Sequence, residues 1–391
     1  MQYTVNTPEG TRDRLFGECR ERRKVQSALT GLFKRRGYHE IITPEVEYYD
    51  LFIQSGNPLP QEGMLKLVDR SGKILVMRPD CTAPIARVAA TKLQHEPLPQ
   101  RLYYNQTIFR SGIAHMGASH EVAQCGVELI GASGQKADAE MLALAVDALA
   151  ACGLSVFHIE VGHASLFPAL TRDLGAPVET VEQMRRYLEQ KNFAALDDLL
   201  LPYRDAPGYA ALRRLAYLFG GPEVLEEARE LSGDAGREVI DYLQSLYEKL
   251  EQAGCGGRIQ FDLGLAHQLD YYTGVVFRGY VEGAGSAVLS GGRYDTLLRD
   301  FGRNAPATGF AIDVDGVAQT LPPVELPKPQ QLIHYESDRL REALSCVESS
   351  VQGTCELSPC ETLEETIALA KEKGISQIVI LENGKARVMT V

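Results

Sequence analysis

No two cysteines in this chain stand at the CxxC spacing of a structural zinc site, and its eight cysteines are scattered along the sequence. We therefore expect neither a bound metal nor a disulfide framework, and the thiols should be buried or free. No apolar run approaches the length needed to cross a bilayer. Residues 1–14 also lack the hydrophobic region of a signal peptide, so the sequence predicts a soluble, cytoplasmic protein without a membrane partner.

Basic residues are also fewer than acidic ones. The 40 lysines and arginines are outnumbered by 52 aspartates and glutamates, which gives a net charge of -12. Such a chain can bind nucleic acid only through a local patch, and no broad phosphate-binding surface is expected. With 391 residues, of which 45% are hydrophobic, the chain is long enough for two or three packed domains.

Residues 264–277, GLAHQLDYYTGVVF, have the composition of a buried strand. Apolar and aromatic residues are interrupted only by Gly274, which indicates a bulge or a close backbone approach. Asp270 and the hydroxyls of Tyr271 and Tyr272 would be costly to bury without partners. They must either close a hydrogen-bond network in the core or meet a polar ligand, and composition leaves both interpretations open.

A hairpin is predicted over residues 64–78, with Ser71 and Gly72 at its turn. It leads directly into Asp80 and Thr82, which precede a helical pattern. Residues of these types at a junction between strand and helix are more often caps than ligands, so capping is the favoured interpretation.

A second hairpin pairs residues 101–112 with residues 121–131. Arg110 lies near the end of its first strand. Gln124 and Glu128 share one face of its second strand because they are separated by an even number of residues. A half-buried glutamate opposite an arginine can be a structural ion pair as well as part of a binding site.

The remaining segments give the domain organisation. Residues 13–36 form an amphipathic helix, and Pro44 suits a sheet edge or an interface between subunits. Leucine- and alanine-rich patterns over about 168–257 indicate a helical insertion in a first domain of residues 1–321. A proline-rich linker at 322–329 then leads to residues 330–391, where strands and helices alternate as in a small α/β module with a partly parallel sheet.

Two local patterns carry further predictions. Asp138 is expected to cap the helix that follows it, which ends at Gly153. Gly291 and Gly292 permit a tight backbone approach before Arg293 and are expected to open another helix, a geometry compatible with anion binding but weak by itself.

Taken in order, these segments resemble the class II aminoacyl-tRNA synthetase core, and specifically the histidyl-tRNA synthetase family, over roughly residues 5–320. The resemblance implies an α+β fold, with an antiparallel sheet of six or seven strands flanked by helices, a helical insertion and a small C-terminal α/β module. The motifs that carry it are TPEGTRD, the strand with Pro44, RPDCTA, RLYYNQTIFR, QCGVELIG, LDYYTGVVF, SGGRYD and GFAIDV.

The resemblance also implies a pocket for histidine. Carboxylates and a threonine can hold the ammonium group, while Glu128 and the two tyrosines can bond the imidazole nitrogens. Arg110 matches the first of the arginines that this family uses against the charge of the α-phosphate. The pocket residues that the family implies are Asp80, Thr82, Gln124, Glu128, Tyr271 and Tyr272, with Arg110 beside them.

The chain departs from the enzymes at positions that serve ATP. Ser111 and Gly112 replace the rest of an RxE motif, and the loop GIAHMGASHEVAQ, which is arginine-rich in the family, contains no arginine. His267 stands where the family has an arginine, and the arginine of the family's motif 3, which GFAIDV resembles, is missing near Gly316. Adenylation needs positioned cations to stabilise the developing charge, so three such losses make it improbable. The C-terminal module is also shorter than the family's anticodon-binding domain.

A retained amino-acid pocket without this apparatus resembles the paralogue that is the regulatory subunit of ATP phosphoribosyltransferase in histidine biosynthesis. That resemblance implies a non-catalytic chain that needs no cofactor, binds the short-form catalytic subunit in a hetero-octamer, and dimerises through the class II interface. It makes histidine the candidate ligand for feedback and makes tRNA binding unlikely. A divergent histidyl-tRNA synthetase or other adenylate-forming enzyme remains the alternative, and a synthetase-like module that binds tRNA or another protein is a third.

Overall fold

The computed structural model describes residues 5–53, 61–110, 119–172, 174–206, 208–265, 271–324, 329–349, 354–382 and 385–391. The chain divides into two compact units, Met1–Pro322 and Pro323–Val391. In the described residues no helix is both long enough and apolar enough to cross a membrane.

The first unit begins with α1 (Phe16–Arg35), β1 (His39–Glu40), β2 (Val46–Tyr48), α2 (Asp50–Ile53), β3 (Lys66–Val68), β4 (Ile74–Met77), α3 (Thr82–Ala90), β5 (Gln100–Phe109), β6 (Glu121–Ile130), α4 (Gln135–Ala151) and β7 (Phe157–His163). It continues with α5 (Leu166–Thr171), α6 (Val178–Glu189), α7 (Phe193–Leu200), α8 (Tyr209–Leu215), β8 (Phe219–Gly220), α9 (Glu223–Leu231), α10 (Gly233–Gln252), β9 (Ile259–Asp262), β10 (Val275–Val281), β11 (Leu289–Arg293), β12 (Ala307–Asp313) and α11 (Val314–Thr320). Short 3-10 turns span Gln61–Gly63, Leu201–Tyr203, Gly256–Arg258 and Leu297–Phe301.

A mixed sheet of nine strands organises this unit, in the order β1-β5-β6-β12-β11-β10-β7-β9-β8. The six strands from β5 to β7 are antiparallel throughout, as predicted. Within the described residues the sheet exceeds the six or seven strands expected, because β1 and β9 add parallel pairs at its edges and β8 extends it further. The predicted first hairpin is confirmed as β3 and β4, which form a separate small sheet with β2.

Successive side chains along each strand point to opposite faces of the nine-stranded sheet, and one face is packed against helices while the other is open. On β6, Cys125, Val127 and Leu129 are buried in a core shared with α1 and α4, while Gln124 and Glu128 point the other way. Leucines of the helical insertion belong to the same core, so the insertion enlarges it instead of forming a core of its own.

The strand expected over residues 264–277 is shorter than predicted. Residues 266–270, including Asp270, lie outside the described residues, and β10 starts only at Val275. Its neighbour β7 ends at His163, directly opposite Val275, and beyond that pair the Ala164 amide donates to the Gly274 carbonyl at 2.8 Å. Tyr271 and Tyr272 therefore lie in the turn that enters the strand.

Two local predictions were wrong for the same reason. Asp138 does not cap α4, which begins at Gln135 after Gly134; its carboxylate instead pairs with Arg293, far away in sequence. Gly291 and Gly292 do not open a helix but lie within β11, paired on both sides by β10 and β12. Long-range pairing has overridden the local signal in both cases.

The second unit contains β13 (Gln331–Tyr335), α12 (Leu340–Ser349), β14 (Cys355–Leu357), α13 (Leu363–Lys373), β15 (Gln377–Glu382) and β16 (Lys385–Thr390), with a 3-10 turn at Ser337–Arg339. Its sheet has the order β14-β13-β15-β16. The first three strands are parallel and β16 is antiparallel, so the predicted partly parallel sheet is confirmed.

Candidate functional site

A cavity opens on the face of the large sheet that the helices α1 and α4 leave free. It encloses about 380 Å³ of empty space, part of which is open to solvent. All seven residues that the sequence singled out for a pocket line it, although they come from four separate segments of the chain. The lining residues are Asp80, Thr82, Arg110, Gln124, Glu128, Tyr271, Tyr272, Ser290, Tyr294, Gly309, Phe310 and Ala311.

Glu128 lies at the floor of the cavity and is 2% exposed. Thr82 Oγ1 donates to its Oε1 at 2.8 Å, and the Tyr294 hydroxyl donates to its Oε2. Burial raises the pKa of Glu128 to about 8, although both hydroxyl bonds act in the opposite direction. No described arginine forms an ion pair with Glu128, so the alternative of a structural ion pair is not found among the described residues. This carboxyl can therefore hold or release a proton near neutral pH.

Asp80 serves both as a helix cap and as part of the cavity wall. Its Oδ1 accepts a hydrogen bond from the Ala83 amide at 2.9 Å, which satisfies a donor in the first turn of α3. Burial raises the pKa of Asp80, and the positive charge of Arg110 offsets part of that rise. Arg110 itself is exposed and donates from Nε to the Pro79 carbonyl at 2.9 Å. The cavity mouth thus combines a carboxyl group with a guanidinium.

Three tyrosines form an aromatic wall. The ring centroids of Tyr271 and Tyr272 lie 4.7 Å apart, and Tyr294 meets Tyr271 edge to face at 5.8 Å. Burial raises the pKa of all three phenols, so each is a neutral hydroxyl at physiological pH. Such a wall can contact a planar ring by its faces and a polar group by its hydroxyls.

Sequence reasoning missed Tyr294, whose hydroxyl donates to Glu128. The two glycines of SGGRYD favour a helix start by local pattern, and this pattern hides the strand that leads to Tyr294. A period-two reading of the same segment would have placed Ser290, Gly292 and Tyr294 on one face of a strand. Ser290 and Tyr294 do line the cavity, and Tyr272 packs where a side chain at Gly292 would stand.

Glycine at position 309 of β12 makes room for the Glu128 carboxyl. A Cβ there would lie 1.9 Å from Glu128 Oε2 and 2.4 Å from the Val127 carbonyl oxygen. We expect Gly309→Ala to displace the carboxyl, cost about 1–3 kcal/mol of stability and abolish ligand binding in this cavity. Calorimetric titration and denaturant unfolding would measure the two effects. Gly257→Ala is the control, since a Cβ there meets nothing within 4 Å; equal behaviour of the two variants would contradict the prediction.

Of the four positions at which the chain departs from the synthetases, Gly316 lies within the described residues. Ser111, Gly112 and His267 lie outside the described residues. Gly316 lies in the first turn of α11, where its amide donates to the Asp313 carboxylate at 3.0 Å. The adjacent Asp315 is paired with Arg14 at 2.9 Å and with Arg22 at 3.7 Å. The sequence of α11 contains no arginine, and these two ion pairs connect the start of the helix to the N-terminal region of the chain.

The described residues offer no metal-binding geometry. No three histidine, cysteine, aspartate or glutamate side chains there are grouped so that they could hold a metal ion. The eight cysteines are free thiols.

Comparison with known sequences gives consistent matches over nearly the whole chain. The family model for histidyl-tRNA synthetase matches residues 10–317. A protein of Clostridium novyi (strain NT) named ATP phosphoribosyltransferase regulatory subunit is 37% identical over 96% of this chain and 92% of its own length. A protein of the same name from Bacillus cereus (strain ATCC 10987 / NRS 248) is 36% identical over 96% of this chain and 91% of its own.

Solved structures of similar proteins give matches to the same family. A crystal structure described as an ATP phosphoribosyltransferase regulatory subunit/histidyl-tRNA synthetase from Bacillus halodurans superposes with a TM-score of 0.85 at 31% identity, covering 97% of this chain and 99% of that one. Histidyl-tRNA synthetase from Nostoc sp. PCC 7120 gives a TM-score of 0.78 at 18% identity, over 99% and 97% of the two chains, and supports the fold alone.

Proposed function

The chain belongs to the family of ATP phosphoribosyltransferase regulatory subunits, and its first unit to the histidyl-tRNA synthetase family; from this premise we propose that it regulates a separate catalytic chain. That chain is the short-form ATP phosphoribosyltransferase, which condenses ATP with phosphoribosyl pyrophosphate at the start of histidine biosynthesis in the cytoplasm. This chain supplies no catalytic residue; it stabilises the active complex and conveys feedback by histidine.

The ligand of the cavity is free histidine. The observation that carries this proposal is Glu128, a buried carboxyl held by the hydroxyls of Thr82 and Tyr294 at the floor of the cavity. An imidazole N–H that reaches this carboxylate makes a charge-assisted hydrogen bond, and Tyr271 and Tyr272 enclose the ring. Gln124 completes the polar lining.

The two ends of the amino acid fit the cavity mouth. Asp80 can balance the ammonium group of histidine, and Arg110 can balance its carboxylate. In the enzymes that the sequence resembles, the amino-acid carboxylate would instead attack ATP. Here Ser111 and Gly112 replace the rest of the RxE motif, and His267 and Gly316 stand where the enzymes have arginines, so the guanidinium groups that would stabilise that transition state are missing. Histidine is therefore bound and not activated.

Two assays on the purified chain test this function. Added to a short phosphoribosyltransferase, the chain should raise the rate of condensation of ATP with phosphoribosyl pyrophosphate, and histidine should change that rate only in the complex. Histidine-dependent exchange of pyrophosphate into ATP should be absent. Robust exchange would instead identify a divergent histidyl-tRNA synthetase, and a folded chain that leaves the phosphoribosyltransferase rate unchanged would refute the regulatory role.

Self-association as a dimer is proposed through the surface around Pro44, as a step towards the hetero-octamer. Tyr48 and Leu67 both flank Leu75 across the small sheet, so they share one face. They are 54% and 45% exposed, and Ile42 nearby is 78% exposed. Apolar residues grouped in this way on a sheet face are typical of a contact surface.

We expect the double variant Tyr48→Asp, Leu67→Asp to shift the dimer to a monomer, because charge on this face opposes its burial. Light scattering coupled to gel filtration would give the mass. Val178→Asp serves as the control, since Val178 is 80% exposed at the start of α6 in the insertion. A double variant that stays dimeric places the interface elsewhere.

A further inference from the structure

A buried ion pair connects the sheet to the helical insertion behind the cavity. The Arg293 guanidinium donates to Asp138 Oδ1 from Nε at 2.8 Å and from Nη2 at 2.6 Å. The hydroxyl of Tyr242, on α10, donates to the other oxygen of Asp138 at 2.5 Å. Three elements, β11, α4 and α10, therefore meet at one carboxylate.

Helix α10 is held to α4 by a second set of bonds beside this one. Gln135, the first residue of α4, donates to the Tyr242 carbonyl at 2.8 Å and accepts from Ser245 Oγ at 3.1 Å. The ring of His163 packs edge-on against Tyr242 at 5.8 Å. A displacement of α10 would therefore move the Tyr242 hydroxyl, because the surrounding contacts restrict rotation of the Tyr242 ring.

On its other side, Arg293 is joined to the residues that line the cavity. Its carbonyl accepts from the Thr273 amide at 2.8 Å, and a Cβ at Gly274 would lie 2.9 Å from its Cδ. The next residue along the chain is Tyr294, whose hydroxyl bonds Glu128. Arg293 therefore fixes both the turn that follows Tyr271 and Tyr272 and the strand end that presents Tyr294.

We propose that Tyr242, Asp138 and Arg293 are positioning residues through which occupancy of the Glu128 cavity and the placement of α10 control each other. The inference deepens the proposed function, since it takes the ligand of the cavity to be histidine. A ligand that contacts Tyr272 or Tyr294 changes the preferred position of the Arg293 backbone. The hydrogen bonds of the Asp138 carboxylate transmit that change in position to the Tyr242 hydroxyl. Coupling of this kind is reciprocal, so a change at α10 also changes the affinity of the cavity.

A reporter on α10 can test the coupling, because the chain contains no tryptophan. Tyr247 lies on α10 and packs edge-on against Phe261 of the sheet at 5.9 Å. Tyr247→Trp therefore places a single tryptophan where α10 meets the sheet. Tyr242→Phe is then added to remove the bond to Asp138. The matched control is Tyr187→Phe, which removes a hydroxyl on α6 that accepts from Gln183 Nε2 in the same helix at 2.8 Å.

With full-length protein, L-histidine should shift the reporter emission with the same midpoint as calorimetric binding. Tyr242→Phe should reduce the amplitude of that shift at saturation by at least fivefold and weaken binding several-fold, while Tyr187→Phe changes neither. A purely structural role for Tyr242 would lower the melting temperature but leave the amplitude at saturating histidine intact, and that result would overturn the proposal.

A ligand-free measurement separates this inference from the proposed function. Glu128→Gln alters the cavity floor directly and should shift the reporter emission without any ligand, unless Tyr242→Phe is also present. If L-histidine fails to bind the reporter protein but this shift occurs, the ligand assignment is wrong and the coupling holds. If L-histidine binds and the emission responds neither to it nor to Glu128→Gln, the coupling is refuted and the ligand assignment stands.

Discussion

Glu128→Gln is expected to weaken histidine binding by about 10- to 100-fold, which corresponds to about 1.4–2.8 kcal/mol. Glutamine keeps the size of the side chain but presents an NH₂ group to one of the two hydroxyls that now donate to Glu128. It also removes the negative charge that an imidazole N–H would meet. Isothermal titration with L-histidine measures the change. Glu121→Gln, at the start of the same strand, is the control, and an equal loss there would show that the effect is not specific to the cavity floor.

The same substitution should remove a dependence of binding on pH. Glu128 has a pKa of about 8 because of its burial, so the cavity holds a proton at pH 7 that a bound imidazole N–H would displace. Affinity for histidine should therefore rise between pH 6.5 and 8.5, by at most about tenfold per unit, with release of a proton. Titration in buffers of different ionisation enthalpy detects that proton. An unchanged pH profile in Glu128→Gln would assign the titration to another group.

Stability should depend on pH in the opposite sense. The carboxyl has a pKa of 4.5 when unperturbed and about 8 in the fold, so between these values the folded chain holds a proton that the unfolded chain has lost. Its contribution to the free energy of unfolding is complete below pH 4.5 and falls as pH rises towards 8, by at most about 1.4 kcal/mol per unit. The difference between wild type and Glu128→Gln isolates this slope from other groups.

Asp138→Asn is expected to lower the free energy of unfolding by about 3 kcal/mol, because it leaves the buried Arg293 guanidinium without its main counter-charge. Asp295, which contacts Arg293 at 3.1 Å but is half exposed, compensates only in part. Urea unfolding followed by circular dichroism measures the loss. Asp241→Asn breaks a pair with Arg229 of similar length, 2.6 Å, on the exposed surface of the insertion, and should leave the unfolding midpoint almost unchanged because solvent screens exposed pairs.

The double variant Asp138→Leu, Arg293→Met provides a second check on the ion pair. Removing both charges avoids an unpaired buried charge, so much of the stability lost in Asp138→Asn should return. Full recovery is not expected, because Arg293 also donates to the Ala132 carbonyl at 3.1 Å. A double variant less stable than both single variants would show that packing around these side chains, and not charge, dominates.

The sequence predicted features that depend on local periodicity and on a recognised order of motifs. Gln124 and Glu128 share a face because strand geometry requires it, and the small parallel sheet of the second unit follows from alternation of strands and helices. Features that depend on distant partners were not predictable. Asp138 is bound to Arg293, 155 residues away, and no local sequence pattern around Asp138 indicates that partner. The glycines at 291 and 292 have the local signature of a turn, yet strands on both sides hold them extended.

The two-residue strand β8 has a consequence for the helical insertion as a whole. It pairs with β9 through Phe219 and Gly220, covers the outer side of β9 and becomes the last strand of the large sheet. A chain from which the insertion had been excised would present the free backbone groups of β9 to solvent, together with core surface that the insertion's leucines now cover. Open edges of this kind recruit strands from other molecules and lead to aggregation. The insertion therefore also protects this edge of the large sheet from pairing with other chains, which makes it an unsuitable place to shorten the chain.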